Sequence, residues 1–116
     1  MNQAQVDFQQ LRIKHILFKS KVRSVLYGGS YDAEFFSPNG PINIWFNAIG
    51  LSRYRNETEM RELIQVQQEL NATANLLFNL YKSGKIEQAH DGLNKIDLLS
   101  ERFTKILSAL EGKLAA

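Results

Sequence analysis

Residues 60–81 read Met-Arg-Glu-Leu-Ile-Gln-Val-Gln-Gln-Glu-Leu-Asn-Ala-Thr-Ala-Asn-Leu-Leu-Phe-Asn-Leu-Tyr. Met60, Leu63, Ile64, Leu70, Ala74, Leu77, Phe78 and Tyr81 recur in steps of three and four, the period of a helix with one buried face. Gln67 and Asn71 fill the two slots the series skips. Asn56 with Glu59 three residues on reads as a capping box opening this helix, and Gly84 after Ser83 reads as its left-handed stop.

The flanking segments obey the same rule. The tight turn Lys82-Ser83-Gly84-Lys85 forces a following helix, over about 85–114, to run antiparallel. Its apolar series is Ile86, Ala89, Leu93, Ile96, Phe103, Ile106, Leu110 and Leu114. Upstream, Pro41 suits the first turn of a short helix whose apolar face is Ile42, Trp45, Phe46 and Ile49, with Gly50 expected to close it. Residues 28–40, rich in Gly, Ser, Asp, Asn and Pro, read as an irregular connection. A first helix over about 3–27 carries Ala4, Phe8, Leu11, Phe18, Val22 and Val25 on one stripe, and His15 occupies the slot between Leu11 and Phe18. No strand pattern occurs. The expected fold is all-α: a single domain, 1–116, forming an antiparallel four-helix bundle of three long helices and one short helix after the irregular loop.

Composition narrows the chemistry. At 116 residues, 44% hydrophobic and 22% charged, the chain has material for one core and not two. It has no cysteine, which excludes disulfides, thiolate metal ligands and thiol redox chemistry. No apolar run approaches the roughly 20 residues a membrane span needs, and the polar start Met1-Asn2-Gln3 has no signal core, so a cytoplasmic location is expected. A net charge of +2 implies no polyanionic partner. Arg12, Lys19 and Arg23 fall on one edge of the first helix's core stripe and Lys14 and Lys21 on the other. That split suits pairing with acids such as Glu57, Glu59, Glu101 or Glu111 and opposes a nucleic-acid platform.

His15, Gln67 and Asn71 are the candidate site. Each lies on a core stripe, so each needs a partner, because a buried donor or acceptor left unpaired costs roughly 1–3 kcal/mol. They are expected to hydrogen-bond with one another, with a buried water completing the set. Opposite the His15 stripe, Val6, Ile13, Ile16, Leu17 and Tyr27, with Ser20 and Ser24 between, form a second apolar strip. Either the Trp45 helix covers this strip or a second copy of the chain packs on it as a homodimer. Glu87 and His90 have a di-iron spacing, but the bundle chemistry needs two such pairs and further glutamates. Gly28-Gly29 follows a helix and lacks the lysine of a phosphate loop.

The run His15-Ile16-Leu17-Phe18-Lys19-Ser20-Lys21-Val22, the Trp45 helix after a glycine-rich loop, and the long helices turning at Gly84 resemble the bacterial chemoreceptor zinc-binding domain over nearly the whole chain. The resemblance implies a zinc site made by a histidine of the first helix, a cysteine five residues before the tryptophan, and a His-x-x-x-His pair on the next long helix. Those positions are His15, Gly40, Gln67 and Asn71 here, so only His15 keeps a ligand and no bound metal is expected. The resemblance further implies a regulatory domain that works in paired chains on a chemoreceptor or a diguanylate cyclase.

The expected function is a non-catalytic signalling module with a degenerate metal site, homodimeric, acting by protein–protein contact on a receptor or cyclase in trans. An enzyme is not expected, since the titratable group in the core is one histidine. Two alternatives accompany it. One is a small-ligand sensor using the polar pocket around His15, Gln67 and Asn71 with Tyr31, Phe35 or Trp45 as lid; the other is a structural homodimeric bundle with no sensory role.

Overall fold

A computed structural model describes residues 2–115 and contains no strand among them. Helix α1 (Gln3–Leu26) is opened by a capping box at Asn2: Gln5 donates its backbone N–H to Asn2 Oδ1 at 2.8 Å, and Gln5 Oε1 accepts the Asn2 N–H at 3.0 Å. A second helical segment comprises α2 (Pro41–Trp45), a π-helical turn (Phe46–Gly50) and α3 (Leu51–Arg53). The long α4 (Thr58–Lys82) is followed by α5 (Ile86–Asp91) and α6 (Leu93–Leu114). With α2 to α3 taken as one segment and α5 to α6 as another, the architecture is the expected four-segment all-α bundle. It measures 46 × 25 × 21 Å, and its long axis is set by α4, whose 25 residues span about 37 Å at 1.5 Å each.

Gly84 stops α4 as its position predicts. Its φ is +83°, and the Lys85 N–H reaches back to the Leu80 carbonyl at 2.9 Å while the Gly84 N–H bonds Tyr81. Helix α6 packs chiefly on α4, and α1 lies mainly against α6. The stripes meet in one core in which Phe8, Leu11, Phe18, Trp45, Met60, Leu63, Leu70, Ile96, Phe103 and Leu110 are buried.

Four local expectations are corrected. The Asn56/Glu59 capping box does not form: the N-cap position is Glu57 and no side chain caps it. Gly50 does not end the short helix, which continues to Arg53; a Cβ there would stand 3.1–3.3 Å from Met60 Sδ and the Trp45 and Phe46 rings, so glycine serves close packing at this point. The last long helix is divided at Gly92, where a Cβ would fall on the Leu77 side chain of α4. Ile86, counted in the core series, stays exposed because it opens α5 at the bundle's end.

Candidate functional site

His15 is buried, 4% exposed, on the core face of α1. Its Nε2 pairs with Ser100 Oγ of α6 at 2.7 Å, and its ring stacks on Phe103 at 4.2 Å between centroids and 5° between planes. A hydroxyl both donates and accepts, so this bond forms with either neutral tautomer. Burial, reinforced by the positive charges of Lys19 and Arg12, pushes His15 down from the usual histidine range to about 4. Its Nδ1 has no partner among the described residues.

On α4, Gln67 Nε2 donates to Asn71 Oδ1 at 3.0 Å. Arg102 and Glu69, 3.2 Å apart, fix the register of the antiparallel α4 and α6, which sets Ser100 and Phe103 level with the turn from Gln67 to Asn71. The three anticipated residues therefore share a layer without forming one network. The bond to His15 comes from Ser100, the amides bond each other, and Asn71 is half-buried because it faces the segment 38–51 at the edge of the core. Ser100 had a legible signal: it sits four residues after Ile96 and three before Phe103, inside the α6 stripe.

Beside the amide pair lies a cleft of about 230 Å³ lined by Asn43, Asn47, Gln67, Gln68 and Asn71 together with Phe46, the rest of its lining being apolar. Gln67 Oε1 is buried and unpaired. The expected lids lie elsewhere: Trp45 is in the core, Phe35 is buried, and Tyr31 packs on Phe36 and Phe78 at the edge of another cleft. Phe46, from the π-helical turn, is the aromatic residue in the cleft's lining.

The residues do not fit zinc. His15 commits Nε2 to Ser100, Gln67 and Asn71 offer neutral amides, and a Cβ at Gly40 would fall on the Phe35 carbonyl oxygen, so a cysteine has no room there. Among the described residues no group of three or more His, Cys, Asp or Glu side chains is placed to hold a metal ion.

A second polar centre escaped the sequence reading. Asp7, 1% exposed, accepts from Gln3 Nε2 at 2.8 Å, from Arg53 Nη1 at 2.9 and 2.8 Å, and from the Tyr54 hydroxyl at 2.5 Å. Burial alone would raise this carboxyl; the bonds from Tyr54, Arg53 and Gln3, with the charge on Arg53, outweigh it and hold Asp7 below the usual carboxylate range. Tyr54 is pushed up by burial and by the carboxylate. Asp7 lies three residues after Ala4 and four before Leu11, on the buried stripe, and that was its available signal. His90 is half-buried at the other end, where it stacks on Tyr27 at 4.0 Å and donates Nε2–H to the Leu26 carbonyl at 2.5 Å. Both centres fasten α1 to the rest of the bundle.

The outer strip of α1 is uncovered. Ile13, Ile16 and Leu17 are 60%, 61% and 43% exposed, Ser20, Ser24 and Tyr27 are also exposed, and Val6 is half-buried. The Trp45 helix meets α1 on a neighbouring face at Gln10 and Lys14, with exposed Ile44 beside them. No family model matches the chain, and neither a curated protein nor a solved structure matches it.

Proposed function

We propose that the chain is a non-catalytic signalling or regulatory bundle that acts through protein–protein contact, with α1 as its interaction helix and a second copy of the chain as its first partner. The observation that carries this reading is the open strip, a patch of large aliphatic side chains that an outer bundle helix ordinarily lacks. Ile13, Leu17, Ser20 and Ser24 lie in steps of four, three and four on one line of α1. Two such lines crossed antiparallel about a two-fold axis set Ile13 against the partner copy's small serine face and Leu17 against the middle of the crossing. Large residues thus meet small ones on both sides of the axis. Arg12, Lys19 and Lys21 are paired with Glu111, Asp97 and Asp32, which leaves Lys14 and Arg23, on opposite edges of the core stripe, as the edge cations without an ion pair among the described residues, a poor platform for a polyanion. The resemblance to the chemoreceptor zinc-binding domain supplies the wider context: a receptor or cyclase engaged in trans, in the cytoplasm.

Sedimentation equilibrium tests the pairing. The chain is expected to dimerise and Leu17→Glu to be monomeric with an unchanged helical spectrum; a wild-type chain that stays monomeric at high concentration overturns the reading.

A second reading is favoured by one observation, a cleft with the five carboxamide side chains of Asn43, Asn47, Gln67, Gln68 and Asn71 in its lining. It makes the bundle a small-ligand sensor, with the cleft rather than the sealed His15 as its site.

A further inference from the structure

We infer that the cleft between α4 and the π-helical turn binds a small neutral polyhydroxyl compound, a single sugar ring or cyclic polyol, an inference that rests on the ligand-sensor reading. Its lining has a narrow chemistry. Asn43, Asn47, Gln67, Gln68 and Asn71 contribute carboxamides, Phe46 an aromatic ring, and no Lys, Arg, Asp, Glu or His takes part. An ionic ligand would surrender hydration without meeting an opposite charge, so the occupant is neutral. A purely apolar ligand would strand the amides of Asn43, Asn47, Gln68 and Asn71.

The amides also dictate the ligand's polar groups. Gln67 Nε2 is committed to Asn71 Oδ1, and Asn43 Nδ2 to the Ser37 carbonyl at 3.2 Å. What remains is mixed: an acceptor at Asn43 Oδ1, a donor at Asn71 Nδ2, and both kinds on Asn47 and Gln68. A hydroxyl is donor and acceptor at once, so a ring carrying several adjacent hydroxyls answers this alternation.

Size and setting agree. About 230 Å³ lies below the roughly 300–1,000 Å³ of sites for drug-sized ligands, which suits one ring and not two. Phe46 and Asn47 belong to the π-helical turn, a rare element concentrated at functional sites.

The test is a titration of the full chain with methyl β-glucopyranoside, methyl α-mannopyranoside and myo-inositol, followed by the side-chain amide resonances of the five carboxamide residues. Glucuronate, glucosamine and benzene serve as the anionic, cationic and apolar probes. At least one neutral polyol is expected to shift these amides saturably, and Asn47→Ala, an exposed change, to weaken it about tenfold, the loss of one good hydrogen bond. Gln68→Ala, a second exposed change, is expected to weaken binding to a similar degree while thermal stability holds, which separates a ligand contact from a structural one. If no probe moves the five amides, the sensor reading falls together with the ligand class. If a charged or apolar probe binds as well as the polyols, the site stands and the polyhydroxyl assignment is overturned.

Discussion

His15 couples one residue to the stability of the whole bundle through its proton. Its folded-state value of about 4 lies below the ordinary histidine value of 6.5, so between these two the unfolded chain binds the proton and the folded chain does not. The stabilisation is therefore complete above about pH 6.5 and is lost as pH falls toward 4, a difference on the order of 3 kcal/mol. Urea unfolding at a series of pH values is expected to show this slope, and His15→Leu to remove most of it, since Ser100 can turn its hydroxyl to a carbonyl of its own helix. Asp7 is shifted in the same direction from a lower starting point: its carboxyl is held low, so its contribution persists through this window and is lost only at more acid pH. Asp7→Ala is expected to cost roughly 2–4 kcal/mol in urea unfolding at neutral pH, because it strands the buried Tyr54 hydroxyl and removes the acceptor of Arg53 Nη1. Arg53→Met should cost less, its head being half in water.

Elements were legible where burial imposes a period and obscure where it does not. The stripes of α1, α4 and α6 and the left-handed Gly84 could be read because each is a local pattern of three, four and a stop. In the segment 41–57 the start at Pro41 and the buried face of Ile42, Trp45 and Phe46 could be read, but the continuation could not: a π-helical turn has no distinct repeat, and Gly50 looks in sequence like a terminator although its role is close approach to Met60 and Trp45. Polar residues divided in the same way. His15, Gln67 and Asn71 stood out as gaps in apolar series, whereas the partners that satisfy His15 and Asp7, namely Ser100 and the Arg53-Tyr54 pair, are separated from them by long stretches of chain. Gly40 shows what an element demands of one position. Because a side chain there would meet the Phe35 carbonyl, Gly40→Cys is expected to destabilise by roughly 1–3 kcal/mol, read as a lowered midpoint in urea, and to confer no tight zinc binding on titration.

At the scale of the molecule, the bundle keeps its polar ties inside and leaves its largest aliphatic surface outside. Asp7 fastens the Arg53 end of the second helical segment to the start of α1, His90 fastens α5 to its finish, and surface pairs such as Arg12–Glu111 lie along the sides. Helix α1 is thereby held rigid against the core, so its strip is presented as a fixed shape, and pairing there costs little ordering. Dimerisation at such a surface must feed back on stability, because a partner that binds the folded chain and not the unfolded one raises the unfolding temperature with concentration. Calorimetry across a hundredfold range of protein concentration is expected to show a rising Tm for the wild type. Ile13→Glu and Leu17→Glu should flatten that dependence and leave the dilute-limit Tm unchanged within experimental scatter, since neither side chain is part of the core. Added salt should strengthen the effect, as expected for an aliphatic contact and opposite to one built on ion pairs. A concentration-independent Tm in the wild type would overturn the pairing of two copies through this strip.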